Sequence, residues 1–191
     1  RRVLFRSKLI AYHEVGHAIV GSLLQNHDNV EKVTLIPRGS AKGLTWFAPD
    51  EDQMLISRAQ LLARITTTLG GRVAERVIFG ETEVTTGASS DLQQVTRIAR
   101  QMVTRYGMSI LGPIALETDN NELIFKGEMS NRIDAEVCRI VNHCEQLATR
   151  IIRDNRVIID LIVERLLDAE TLDGEEFRNL VKQYTIPPVK Q

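Results

Sequence analysis

Residues 8–24, Lys-Leu-Ile-Ala-Tyr-His-Glu-Val-Gly-His-Ala-Ile-Val-Gly-Ser-Leu-Leu, decide how the rest of the chain is read. Leu9, Tyr12, Ile19 and Leu23, with the small Ala11, Gly16 and Ala18, recur at helical spacing without a proline, which predicts a buried or half-buried helix from Lys8 to about Leu24. Inside it stands His13-Glu14-Val15-Gly16-His17. Histidines at i and i+4 lie one turn apart on the same face, so both imidazoles can reach one metal ion while Glu14 projects beside them. That is the donor pattern of a hydrolytic zinc site, in which zinc lowers the pKa of water and a carboxylate takes the proton as water attacks a peptide carbonyl. Glu14 is the expected base. Random placement would produce the pattern somewhere in this chain with a probability of roughly 0.7%.

Outward from this helix the pattern changes. Val30, Val33 and Leu35 alternate with polar residues, Pro37 to Gly43 carry turn chemistry, and Leu44, Trp46 and Phe47 follow before Pro49, which predicts a short β-hairpin over 30–48. A second helix is expected from Asp52 to about Ile78, closed by Gly80, with Gly70 and Gly71 inside it at a cost of roughly 1 kcal/mol each relative to Ala. Close approach to another element is the usual reason for such glycines. A third helix is expected to begin at a capping Ser89 or Ser90 and to stop at Gly107, placing Asp91 in its first turn. Residues 108–130 suit a loop with one weak hairpin. Two more helices follow, about Ile133–Arg153 and Arg156–Asp168, and a last one opens with Asp173 and Glu176 spaced as a capping box and ends before Pro187 and Pro188. The expected fold is mainly α: six helices and one small sheet or hairpin after the metal-binding helix. Residues 8–188 form the domain, 189–191 a tail, and Arg1–Ser7, which reads like a translated adapter stretch, a candidate non-native leader.

Composition limits the function. The 191 residues are 43% hydrophobic and 26% charged, which excludes disorder, and 24 Lys and Arg against 25 Asp and Glu leave a net charge of -1. Without a basic excess there is little to neutralise phosphates, which argues against a nucleic-acid partner. Cys138 and Cys144 fit neither a zinc knuckle nor a disulfide framework and read as reduced thiols. No apolar run reaches the ~20 residues of a membrane span, so the chain as given reads as a soluble piece.

A catalytic zinc site uses three protein ligands and an open position. His27, in a polar loop, and His143, beside Cys144, read as surface or core filler, so the third ligand is expected among downstream carboxylates. Two qualify on residues alone. Glu75 lies in Gly70-Gly71-Arg72-Val73-Ala74-Glu75, and Asp91 in Thr86-Gly87-Ala88-Ser89-Ser90-Asp91. The plain alternatives are an exposed helix acid paired with Arg72 or Arg76 for Glu75, and a first-turn acid complementing the helix dipole for Asp91.

Taken together, several blocks resemble the FtsH family of membrane-anchored, ATP-dependent zinc metalloproteases, over about Lys8 to Pro188. They are Ala11-Tyr12-His13-Glu14-Val15-Gly16-His17-Ala18, Ile36-Pro37-Arg38-Gly39, Gly70-Gly71-Arg72-Val73-Ala74-Glu75, Thr85-Thr86-Gly87-Ala88-Ser89-Ser90-Asp91-Leu92 and Tyr106-Gly107-Met108-Ser109. The resemblance implies His13, His17 and Asp91 as ligands of one Zn2+, Glu14 as the base and Glu75 as an acid behind the ligands. The shorter Asp91, in a helix's first turn, suits direct ligation, and the longer Glu75 suits holding a ligand histidine by its other nitrogen. Val15 departs from the family's usual Ala, and the chain is shorter than the family pattern between Met108 and Gly112 and between Phe125 and Ile133.

The family also implies a homo- or hetero-hexameric ring fed with unfolded polypeptide by an ATPase ring that uses ATP. Membrane anchor and ATPase module are not in these residues, so the chain is expected to be a fragment. The stretches 91–109 and 154–177 are most similar to the cyanobacterial and plastid branch, which implies a thylakoid membrane with the peptidase on the stromal or cytoplasmic side. The strand around Leu44, Thr45 and Trp46 is the expected substrate-binding edge, on which an extended polypeptide could add as a strand. A catalytically silent ring subunit of the same fold is the rival reading, and a helical metal-binding adaptor a third, disfavoured because structural zinc prefers four ligands and thiolates.

Overall fold

The computed structural model describes residues 2–37, 43–48 and 55–184. The proposed leader and tail boundaries fall partly outside them, as do the expected turn at 38–42, Pro49 and the stretch 52–54.

The metal-motif helix, α1 (Arg2–Leu23), is longer than the periodicity suggested, because it continues through the first residues. Phe5 meets Phe79 edge-on at 5.6 Å between ring centroids. Its inner face is Ala11, Val15, Ala18 and Ile19, all fully buried, against Ile65, Leu69 and Val73 of α2 (Arg58–Phe79). The two helices cross backbone to backbone: a Cβ added to Gly16 would lie 2.4 Å from the carbonyl oxygen of Gly70. The sequence placed the start of α2 too early. Ser57 and Gln60 form the capping box that opens the helix, and Leu55, ahead of it, is exposed.

Strands β1 (Val30–Thr34) and β2 (Leu44–Phe47) pair antiparallel, Val33 facing Thr45, with a bulge between Val30 and Lys32. A third strand, β3 (Thr171–Asp173), was not foreseen. It pairs with the other side of β1, giving the order β2-β1-β3, in which β2 is an edge strand among the described residues. Three residues carry no measurable alternation, and β3 exists because Leu172 is fully buried opposite Val33.

Helix α3 (Ser89–Thr104) has no serine cap. A 3-10 turn, Thr86–Ala88, runs directly into it, and the cap belongs to Thr85, whose hydroxyl accepts from the Gly87 N–H at 3.2 Å. Gly107, just past the helix, takes the left-handed conformation expected of a stop, φ 61°. Helix α4 (Glu128–Asp154) starts five residues before the expected Ile133. Between α3 and α4 the weak hairpin survives as one bridge, Glu117 to Leu123. α5 (Arg156–Ala169) and α6 (Gly174–Tyr184) complete the six helices. At the start of α6 only half of the expected box forms: Asp173 accepts from the Glu176 N–H at 2.8 Å, while the Glu176 carboxylate pairs with Arg165. The core is continuous from α1 and α2 through Ile140, Ala148 and Ile151 of α4 to Ile159 and Ile162 of α5. No described helix is long and apolar enough to cross a membrane.

Candidate metal centre

The α1–α2 crossing creates the site. With Gly71 under the imidazoles, a Cβ there would stand 2.5 Å from His17 Nε2 and 2.6 Å from His13 Nε2, so only glycine lets α2 pass this close. Each ring is then fixed by its inner nitrogen. His17 Nδ1 donates to the Thr67 carbonyl at 2.9 Å, and His13 Nδ1 donates to Glu75 Oε1 at 2.7 Å. With both Nδ1 atoms carrying hydrogen, both Nε2 atoms of the neutral rings present lone pairs outward.

Those lone pairs converge. The Nε2 atoms are 3.1 Å apart, and Asp91 Oδ2, from the first turn of α3, lies 3.3 Å from one and 3.5 Å from the other. With both rings neutral, three acceptors face one another, an arrangement that needs a proton or a metal cation among them. A tetrahedral ion with bonds of ~2.0–2.1 Å places its ligands about 3.3 Å apart, so the triangle matches zinc in size as well as in donor type. Among the described residues this is the group of His, Cys, Asp and Glu side chains arranged to hold a metal.

The electrostatics agree. Burial works against charge on His13, yet hydrogen bonds to Asp91 and Glu75 raise its pKa to about 9. Burial likewise opposes ionisation of Asp91, but bonding to His13 and His17 holds its carboxyl well below the usual range. The carboxylates around His13 thus favour positive charge at this point despite burial.

Glu75 does not lie on an exposed helix face with an arginine. It is 1% exposed, and its second oxygen accepts from both the N–H (2.8 Å) and the hydroxyl (3.0 Å) of Thr85. Burial raises its pKa, but His13 and Thr85 outweigh this and hold it low. Arg76 instead binds Glu145 at 2.6 Å. Glu14, 8% exposed, accepts from Thr45 Oγ1 at 2.9 Å. Thr45 therefore points inward from β2, while Trp46 is half exposed and Leu44 half buried. His27 packs on Phe47, and His143 is exposed on α4. Neither joins the cluster.

Peptidase family M41 matches residues 5–180. The chain belongs to that family. Among M41 relatives it is 63% identical over 194 residues to the ATP-dependent zinc metalloprotease FtsH of Trieres chinensis, covering 96% of this chain and 30% of that protein. It is 53% identical to the protein of the same name from Synechococcus, covering 92% of this chain and 30% of the relative. It is 52% identical to ATP-dependent zinc metalloprotease FTSH 6, chloroplastic, of Arabidopsis thaliana, covering 95% and 28%. This M41 domain thus spans about 30% of the length of the curated relatives it matches. The resemblance drawn from the motif blocks and the mainly α fold both stand.

Sequence reasoning missed two supports of the cluster. The Thr67 carbonyl has no signature, since every residue carries one. Thr85 did have a signal: Thr-Thr-Gly ahead of a helix is a side-chain-capped turn.

Proposed function

We propose that this chain is the peptidase domain of a zinc-dependent endopeptidase, with His13, His17 and Asp91 holding one Zn2+ and Glu14 acting as general base. The observation that carries the proposal is the triangle of His13 Nε2, His17 Nε2 and Asp91 Oδ2, sized for a tetrahedral cation and closed by three protein ligands, so that a fourth position is left for reactants. Zinc bound there would lower the pKa of water towards ~7 and polarise a peptide carbonyl. Glu14 would take the proton from the attacking water and pass it to the leaving amine. Glu75 and the Thr67 carbonyl keep each histidine in the tautomer that frees its Nε2. A polypeptide added along the edge of β2 that carries no partner strand among the described residues, past Leu44, Thr45 and Trp46, would bring its backbone beside Glu14, because Thr45 already touches that residue.

The relatives' names support a wider reading. The domain acts within a longer ATP-dependent enzyme whose ATPase part consumes ATP and delivers unfolded or damaged polypeptide. That enzyme works as a homo- or hetero-hexamer with a membrane anchor, and the chloroplastic and cyanobacterial relatives support a thylakoid setting with the peptidase on the stromal or cytoplasmic side. A silent ring subunit is disfavoured, since ligands and base are all present.

Zinc content and casein cleavage, measured on this chain and on Glu14→Gln, test the proposal. One equivalent of zinc in both, with proteolysis in the first alone, supports it. Failure of the chain to bind zinc, or retained cleavage by Glu14→Gln, overturns it.

A further inference from the structure

A base that must meet a proton at one point has to be held there, and a glutamate on a helix has several rotamers to sample. The motif contains nothing that would hold Glu14. The hold comes from β2. Thr45 Oγ1 lies 2.9 Å from Glu14 Oε2 and 2.8 Å from the backbone carbonyl oxygen of the same residue. A hydroxyl has one proton, so the two acceptors share it in a three-centre bond. The far end of the Glu14 side chain is thereby referenced to its own backbone.

The other oxygen of the carboxylate lies beside Gly43, which leaves room there by having no side chain. A Cβ at that position would stand 2.9 Å from both Cγ and Oε1 of Glu14. Thr45 of β2 and Gly43 just ahead of the strand therefore both lie against Glu14, one with a hydroxyl and one with bare backbone. β2 does not need the Thr45 hydroxyl to stay in place: it is paired with β1 from Leu44 to Phe47, and Phe47 packs into the space left at Gly21.

We propose that Thr45 is the positioning residue of the general base: its hydroxyl ties Oε2 of Glu14 and leaves Oε1 as the oxygen that takes the proton. This rests on Glu14 being the base. It also makes the strand offered to substrate the strand that aims the base, so that the two are set by one element. Truncating the hydroxyl frees the carboxylate to rotate, and misplacement of a catalytic group by about 1 Å costs on the order of 100-fold in rate.

The test compares zinc-loaded wild type, Thr45→Val, Thr45→Ser and Glu14→Gln on casein, with zinc content and melting temperature measured on each. Thr45→Val keeps the branched shape and removes the hydroxyl. We expect kcat to fall about 10- to 100-fold with KM within about twofold and zinc unchanged. Thr45→Ser, which restores the hydroxyl, should return to within about threefold of wild type. A second readout needs neither zinc nor turnover: in the metal-free chain, the 13C carboxyl signal of Glu14 should be sharp in wild type and Thr45→Ser, and shifted or broadened in Thr45→Val.

Wild-type kcat in Thr45→Val, equal impairment of the valine and serine variants, or an unchanged Glu14 signal in Thr45→Val overturns the proposal. So does a Thr45→Val protein that loses zinc or melts far below wild type, since the hydroxyl would then be a structural tether. If Glu14→Gln remains active, the assignment of the base has failed. If Glu14→Gln is inactive and Thr45→Val is normal, the role of Thr45 alone has failed.

Discussion

Thr85 donates twice to the same oxygen of Glu75, through its N–H at 2.8 Å and its hydroxyl at 3.0 Å, while the other oxygen of Glu75 receives His13 Nδ1. One buried carboxylate on α2 thus ties a histidine of α1 to the turn that leads into α3, where Asp91 stands. Two of the three proposed ligands are set by it. Thr85→Val should therefore weaken zinc binding about tenfold without changing ligand identity, and Glu75→Gln roughly 10- to 100-fold. Competition against a chelator measures both. Zinc affinity unchanged in Glu75→Gln would remove Glu75 from the site's support.

Ligands and base should separate cleanly. Glu14→Gln preserves shape and removes the proton acceptor, so zinc stays and proteolysis falls by 10²- to 10⁴-fold, the usual worth of such a group. His13→Ala, His17→Ala and Asp91→Asn should instead lose metal together with activity, Asp91→Asn by far more than Glu75→Gln. Metal analysis of the purified variants decides. Unchanged zinc in both histidine variants would mean that α1 is not the site.

What was legible in the residues follows from the range of the interaction. The i, i+4 histidines, the helical stripe of α1 and the close approach at Gly70 and Gly71 are local facts about a chain, and the structure contains all three. On residues alone Glu75 and Asp91 both qualified, and only the resemblance and side-chain length set Asp91 first, because their difference is tertiary: one carboxylate is buried against His13 Nδ1, the other faces both Nε2 atoms. β3 was missed for the same reason, since three residues pair across about 140 positions of sequence. The serine cap failed through a local competition that Thr85 won, by starting a 3-10 turn three residues earlier.

Glu136 supplies a pH dependence remote from the histidine cluster. Buried on α4, it takes Arg139 in a two-pronged pair, Nε to Oε2 at 2.8 Å and Nη2 to Oε1 at 2.7 Å. The Ile110 N–H also reaches Oε1, at 3.3 Å. The guanidinium chiefly, opposed by burial, holds the Glu136 pKa below its ordinary value. A lowered folded pKa means that the pair stabilises the fold above the unfolded pKa of about 4.3 and loses that contribution as pH falls through the folded value. Arg139→Ala should thus melt a few degrees below wild type at pH 7, with the gap closing as pH is taken below about 4. Scanning calorimetry of both proteins on a pH series checks this, and a gap that widened with acid would reverse the sign.

The two ends of the glycine crossing should fail in different ways. At Gly16 an added Cβ meets the Gly70 carbonyl oxygen at 2.4 Å, and backbone cannot move aside without separating the helices. Gly16→Ala should therefore destabilise the whole domain, by about 1–3 kcal/mol or more, as overpacking does. At Gly71 the added Cβ meets the tips of flexible side chains, His17 Nε2 at 2.5 Å and His13 Nε2 at 2.6 Å. The rings can swing, but only by giving up the Glu75 and Thr67 hydrogen bonds that aim them. Gly71→Ala should keep most of the melting temperature of the metal-free chain and lose most of its zinc affinity, the reverse of Gly16→Ala. Melting curves of the metal-free proteins beside zinc titrations separate the two. If Gly71→Ala bound zinc like wild type, the close passage of α2 beneath the imidazoles would have no part in shaping the site.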